Sequence, residues 1–593
     1  MLKTAVLICA LAGILTALML TSWIRVRESG KDTQIDFSGC RTDESKHFFN
    51  SADSRLLIIT VLIAVITGFG ISWIGAGVYV AGVLISYIAV SAGRLTSSAA
   101  VRKAAEYSAS GSISKAMRTA FRSGSAMGFY VSGAGLLAMD ILLIAFNYDT
   151  ASAAVSCLAL GVMTAAVYFR VSGSACASAY AIAPDSDRVP DIMPLVSGLG
   201  ADRMGSYVCT AAAGIALAEA AVMSSGVTST FTKNASALYP VAVFGAGIIA
   251  SIIGSLFYRG SYKKNAAGGI TASNIVSAVI MIAASVFLSV HSLQSPVYAY
   301  AVIAGAVAGV AIGEITKLYS DDNFMYYRKP KGLSDEAEET HILNGVVLGF
   351  RSAVIPSIII VGALYISYKF AGMYGAALCA AGIVSISGTS LSASIHSQVA
   401  LDARQAAGLA RAESDQEDLG AEVLLSTTNV ISASSRGYEF ISGLLPAIAL
   451  IFALAYITGN TESPILGELT SAGIITGAAF MFASLSLVTG VILKITETKY
   501  DERYTASLNT SSLISFGVII IPPVLGVVFG MDFLIGFLGS AVVTGCILGY
   551  VLENAGVDVR RCRPMTLNTI ACAMVASAAA FAPFLMKFGG YFF

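Results

Sequence analysis

Residues 198–209 read GLGADRMGSYVC, in which one acid (Asp202), one base (Arg203) and three glycines precede a long apolar run. A carboxylate seats a hard cation such as Mg2+ through oxygen, and an arginine grips phosphate oxygens with a fork of N–H donors. The stretch is therefore a candidate metal and phosphate site at a helix entrance. The plainer reading is a solvated helix start, since acids favour the positive end of the helix dipole. Other polar residues interrupt apolar sequence in the same way: Asp185, His396, Asp402, Asn429, Arg436 and Asn554. Arg436 has two candidate partners, Glu439 one turn on and Asp402, while His396 suits a packed, hydrogen-bonded role better than a ligand's.

Metal chemistry through sulfur has little support. The nine cysteines are scattered, mostly inside apolar segments, with no CxxC pair, and the four histidines lie far apart. They read as small core residues. A formal net charge of zero removes the argument for a nucleic-acid partner.

The elements that must hold these residues are membrane spans. Of 593 residues 56% are hydrophobic and only 12% charged, against about 25% in soluble domains, and the mean hydropathy is +0.76. A spanning helix needs about 20 mostly apolar residues. That criterion predicts an all-α, polytopic membrane bundle of about sixteen spans in a single transmembrane domain. They lie near 4–24, 56–74, 76–101, 119–146, 151–179, 206–226, 237–257, 269–291, 296–317, 342–368, 373–400, 423–458, 465–493, 508–530, 531–552 and 566–590. The first reads as a span rather than a signal peptide, being too long and lacking a small-residue cleavage site.

Charge tests the count. Lys and Arg cluster after every odd-numbered span, for example Arg25, Arg27 and Lys31, or Arg560, Arg561 and Arg563; the opposite side carries little beyond Lys3, Lys233, Lys369 and Lys587. The positive-inside rule then places both termini outside a cell membrane. The 57 glycines suit close helix packing in lipid. Two polar stretches on the basic side, 25–55 and 401–422, read as solvated loops in the plainer case and as partner-binding surfaces in the other.

Several segments together resemble the membrane-integral pyrophosphatases, ion pumps driven by pyrophosphate hydrolysis. They are RTAFRSGSAMGF (118–129), LALGVMTAAVYFRVSGSACASA (158–179), ITKLYSDDNFMYYRKP (315–330), AGMYGAALCAAGIVSISG (371–388), TTNVISASSRGYEFISG (427–443) and ENAG (553–556). Their order and spacing cover nearly the whole chain. The resemblance implies a homodimer, a cytoplasmic funnel whose aspartates hold several Mg2+ ions around pyrophosphate, lysines on the phosphates, and an ion gate in the sixth and sixteenth spans.

Carried onto this chain, the resemblance puts the substrate lysine on Ser178 and two acids on Ala181 and Asp185. The family's doubled D-N-V-G repeat lands on GLGADRMGS, with Asp202 kept, Arg203 in place of Asn and Ser206 in place of an acid. Further acid positions fall on Ser394, Leu401 and Leu425; His396 stands for a Tyr, Asp402 for an Asn and Arg436 for a Lys, while Asn429 is kept and Asn554 lies in the retained ENAG. The acidic, lysine-rich last loop is reduced to VDVRRCRPMT. The gate positions fall on Ala213, Ala216 and Cys572, with Glu219 one turn beyond as a displaced acid.

These substitutions predict a member of that fold without pyrophosphate hydrolysis, metal cofactor or ion pumping, its gate closed by small apolar side chains. Such a protein would be repurposed for binding or transporting a small anionic ligand, or as a scaffold in a membrane complex. The alternative is an active pyrophosphate-energised proton or sodium pump with a rebuilt, Mg2+-dependent site.

Overall fold

The computed structural model describes residues 2–26, 42–182, 193–225, 230–258, 260, 268–319, 338–411, 419–459, 468–499, 502–555 and 566–588. Among them are sixteen helices and no strands. In order they are α1 (Leu2–Val26), α2 (Thr42–Gly70), α3 (Trp73–Ala109), α4 (Ile113–Ala145), α5 (Tyr148–Ile182), α6 (Met193–Ser225), α7 (Thr230–Ser255) and α8 (Gly268–Leu293). Then follow α9 (Val297–Leu318), α10 (Glu338–Val384), α11 (Ser387–Arg411), α12 (Leu419–Ile457), α13 (Glu468–Glu497), α14 (Arg503–Glu553), α15 (Thr566–Ala580) and α16 (Ala582–Phe588). Twelve are long and apolar enough to cross a membrane, and α15 with α16 forms a further candidate bent by 62°. In hydrocarbon only a helix satisfies every backbone donor and acceptor within its own segment, which is why apolar sequence of this length folds as helix throughout.

Two of the helices are bent doubles. Within α10 the backbone leaves helical geometry at Ala371 and Gly372, and within α14 at Gly530. Gly372 has φ of 57° and Gly530 φ of 86°, which only a residue without Cβ adopts at low cost. The bends separate residues 342–368 from 373–400 and 508–530 from 531–552. The predicted stretch 373–400 is not one continuous helix, because the chain turns at Ser385 and Ile386 between α10 and α11.

Hydroxyls inside the bundle bond back to their own helix, as Thr60 does to the Leu56 carbonyl at 2.7 Å and Thr164 to that of Leu160 at 2.8 Å. Small residues let backbones meet. A Cβ on Gly82 would lie 2.6 Å from the Leu158 carbonyl oxygen, so α3 and α5 touch main chain to main chain. The polar stretches expected as loops are partly helical: α2 starts at Thr42 and α11 runs on to Arg411. Residues 27–41 and 412–418 lie outside the described residues.

Candidate functional site: a buried charge cluster

The GLGADRMGSYVC stretch does not open a helix. It lies within α6, which begins at Met193, and Arg203 there is buried to 3% exposure. The glycines that looked like a phosphate loop are packing surfaces. A Cβ on Gly198 would lie 2.8 Å from the Arg170 Cα of α5, and one on Gly200 or Gly205 would run into the side chains of Met127 and Met163. With neighbours so close, α6 continues through residues that in water would mark a loop.

Around this stretch five helices bring polar side chains together. Arg170 of α5 donates from Nη2 to Glu439 Oε2 of α12 at 2.8 Å, the two side chains being 5% and 11% exposed. The other carboxylate oxygen of Glu439 accepts the Ser394 hydroxyl of α11 at 2.9 Å. The backbone carbonyl of Glu439 accepts Asn568 Nδ2 of α15 at 3.0 Å, and Asn568 Oδ1 takes the Cys546 thiol of α14 at 2.6 Å. One residue on, the Thr569 hydroxyl donates to Asp202 Oδ1 of α6 at 2.7 Å.

Asp202, Glu439 and Arg170 all act electrostatically on the buried Arg203, and Glu553 adds to the field at Arg170. The central four charges, two guanidinium groups and two carboxylates, balance. Balance is what allows them below the surface, since an isolated charge in low dielectric carries a desolvation cost of several kcal/mol or more. Three guanidinium nitrogens, Arg170 Nε and Nη1 and Arg203 Nη1, have no hydrogen-bond partner among the described residues. Buried donors of this kind normally meet water or an anion.

The structure redistributes the predicted positions. Cys572 lies within electrostatic range of Asp202, Cys209 and Cys546, and its thiol donates to the Gly443 carbonyl at 3.2 Å. Ala213 and Ala216 are buried but stand eleven and fourteen residues beyond Asp202, roughly 16–21 Å farther along α6 at 1.5 Å per residue. The stretch of α6 that meets the Cys572 level is thus 202–209, about two to three turns earlier than the resemblance suggested; a glycine- and alanine-rich helix offers several such registers. The expected closure by small apolar side chains is replaced at this level by the polar bridge from Thr569 to Asp202.

Of the other predicted positions, Ser178, Ser206, Asp402, Arg436 and Asn554 are buried, and Arg436 Nη1 donates to the Glu553 carbonyl at 3.2 Å. Between the two partners considered for Arg436, Glu439 gives its carboxylate to Arg170 and Ser394 instead. His396 is fully buried and hydrogen-bonded to Tyr258 at 3.1 Å. Glu219 and Asn429 belong to α6 and α12 with side chains outside the described residues, and Asp185 lies outside them altogether. The central role of Glu439 was the residue that sequence reasoning missed. Its signal was an acid inside an apolar span, three residues from Arg436 and so one turn along the same helix.

The residues at the resemblance's acid positions do not fit a magnesium seat. Ser394 is engaged as a donor to Glu439, Ser206 offers a hydroxyl, Ala181 offers no oxygen ligand on its side chain, and the retained Asp202 accepts the Thr569 hydroxyl. Among the described residues no three His, Cys, Asp or Glu side chains are placed to share a metal ion.

A polytopic all-helical bundle with ionisable residues gathered at its centre defines the class of membrane proteins that handle charge inside the bilayer. Residues 11–185 and 179–494 match the family described as inorganic H+ pyrophosphatase, and the chain belongs to that family. It is 25% identical, over 92% of its length and 88% of the relative's, to a Clostridium tetani protein assigned as a K(+)-stimulated pyrophosphate-energized sodium pump. It is 24% identical to a K(+)-insensitive pyrophosphate-energized proton pump of Methanosarcina mazei, over 84% of this chain and 81% of that one. It is 22% identical to a pump of the same description from Pyrobaculum aerophilum, over 93% and 88%.

Proposed function

We propose that this chain keeps the membrane pyrophosphatase scaffold without magnesium-dependent pyrophosphate hydrolysis, and that it binds a small anion. The observation that carries the reading is the pair of buried arginines, Arg170 and Arg203, with three donor nitrogens unmatched among the described residues, while three acid positions hold Ala181, Ser206 and Ser394 and the lysine position holds Ser178. Guanidinium N–H donors left unmatched in a cluster whose charges balance suit a small metal-free anion better than a metal–pyrophosphate complex. Losing even one well-placed electrostatic group costs ~10²–10³ in rate, and here several are replaced together. On this reading the protein serves as a carrier, a sensor or a scaffold in a membrane assembly, as a homodimer with both termini outside the cell membrane.

The test is a phosphate-release assay on purified protein with Mg2+ and pyrophosphate, run beside a titration of phosphate, pyrophosphate and sulfate followed by thermal unfolding. The expected result is no Mg2+-dependent release, together with stabilisation by at least one anion that is lost in Arg203→Gln. Turnover that requires Mg2+ and disappears in Asp202→Ala would refute the reading.

A second reading has its own observation. Glu439 and Asp202 are carboxylates deep in the bundle, hydrogen-bonded at the level of Cys572, and buried ionisable residues in membranes usually serve transport. If ions cross, Glu439 is the displaced gate acid rather than Glu219. Pyrophosphate-dependent proton or sodium uptake into proteoliposomes, abolished by Glu439→Gln but not by Glu219→Gln, would establish that pump.

A further inference from the structure

Where α1 finishes, α4 begins and α7 ends, the structure encloses a cavity of about 320 Å3 that no part of the charge cluster reaches. Two of its lining residues are Arg118 and Arg122, four apart and therefore on one face of α4. The Arg122 guanidinium lies 3.8 Å over the ring of Trp23, also a lining residue, which fixes it in place by cation–π attraction. Two further lining residues are held together: Tyr258 stacks on Phe121 with ring centroids 4.0 Å apart, and its side chain is hydrogen-bonded to His396. Among the described residues no acid lines the cavity.

The rim is of a different kind. Met19 and Leu256 line the opening and are 72% and 77% exposed, and Phe257 beside them is 51% exposed. In a chain that spans a membrane, exposed apolar side chains at a helix end face acyl chains. Trp23 and Tyr258 sit where aromatic residues gather at the membrane–water boundary, and Arg25 marks the end of α1 as belonging to the basic side. A cavity with two guanidinium groups inside and an apolar lip outside matches a ligand that is itself an anion with a hydrocarbon tail.

We propose that this cavity binds an anionic phospholipid of the leaflet on the basic side. Its phosphate diester is held by Arg118 and Arg122, and its acyl chains lie along Met19 and Leu256. The volume accommodates the headgroup alone, which leaves the tails in the bilayer. The leaflet potential adds to the attraction, since basic residues near an anionic surface are drawn toward it. This site stands independently of any reading of hydrolysis or pumping.

The experiment is native mass spectrometry of delipidated full-length protein titrated with phosphatidylglycerol, phosphatidylcholine or inorganic phosphate. Wild type should bind one phosphatidylglycerol per chain about tenfold or more tightly than phosphatidylcholine, the factor expected from one charge-assisted hydrogen bond. Arg118→Gln, at an exposed position, and Arg122→Gln should each remove most of that preference. Leu256→Glu, which leaves both arginines in place, should weaken phosphatidylglycerol through like-charge repulsion. Thermal unfolding in neutral detergent should be unchanged for Arg118→Gln. Equal binding of the two lipids by wild type, or an unaltered preference in both arginine variants, would overturn the site. Displacement of phosphatidylglycerol by equimolar inorganic phosphate would overturn the lipid assignment and mark a free-anion site instead.

Discussion

The inner and outer helices of this bundle are built on opposite rules. The central window of α5 is 89% buried, whereas those of α1 and α13 are 22% buried and that of α8 is 28%. The outer helices turn large side chains outward, such as Ile475 at 72% and Met19 at 72% exposure. The inner ones carry Ser, Gly and Ala, and with them Arg170, Asp202, Arg203 and Glu439. Lipid rewards apolar bulk on the outside but supplies no net drive for helices to associate, so close backbone contact and polar links must hold the centre. Stability of the outer layer is therefore spread thinly over many residues, and that of the inner layer rests on a few.

This contrast is open to measurement. The largest effect is expected at the ion pair: Arg170→Met strands the Glu439 carboxylate and should destabilise the protein by about 3–5 kcal/mol in denaturant unfolding. Adding Glu439→Leu should recover most of that loss, because replacing both partners removes the orphaned charge. A double variant no more stable than the single one would mean that the pair is not what links α5 to α12. Next, Thr569→Val removes the hydroxyl that donates to Asp202 and should lower stability by about 1.5–3 kcal/mol, with the loss reduced in Asp202→Asn.

Gly443→Ala should cost roughly 1–3 kcal/mol by forcing a methyl against the Asn568 side chain, which then gives up its bonds to Glu439 and Cys546. Alkylation of Cys546 by a small, membrane-permeant thiol reagent should be faster in that variant. The smallest effect belongs to the periphery. Ile475→Ala should stay within about 0.5 kcal/mol of wild type, like other surface changes. A loss there as large as that from Thr569→Val would show that the outer layer is not energetically diffuse.

Much of this was legible in the sequence. Apolar runs and the alternation of Lys and Arg between them placed the helices, because the bilayer demands both. Less legible was where α6 starts. Glycine, Asp and Arg together are a loop signature in water, and only the backbone of α5 pressing on Gly198 makes them helical here. The partner of Glu439 could not be read from spacing either: Arg436 is near in sequence, but Arg170, 269 positions away, is near in space. Likewise the register between α6 and α15 is marked by the bond from Thr569 to Asp202, for which the small residues around it carry no pattern.

The hydrogen bond from Ser394 to Glu439 also limits which substitutions the cluster can accept. Position 394 is one at which the resemblance expects an acid. Restoring that acid while Glu439 remains would bring two carboxylates to within about 3 Å, where like charges cannot both stay ionised. Removing Glu439 first would leave Arg170 without its counter-charge. Either single change damages the buried cluster, so the serine and the glutamate hold each other in place.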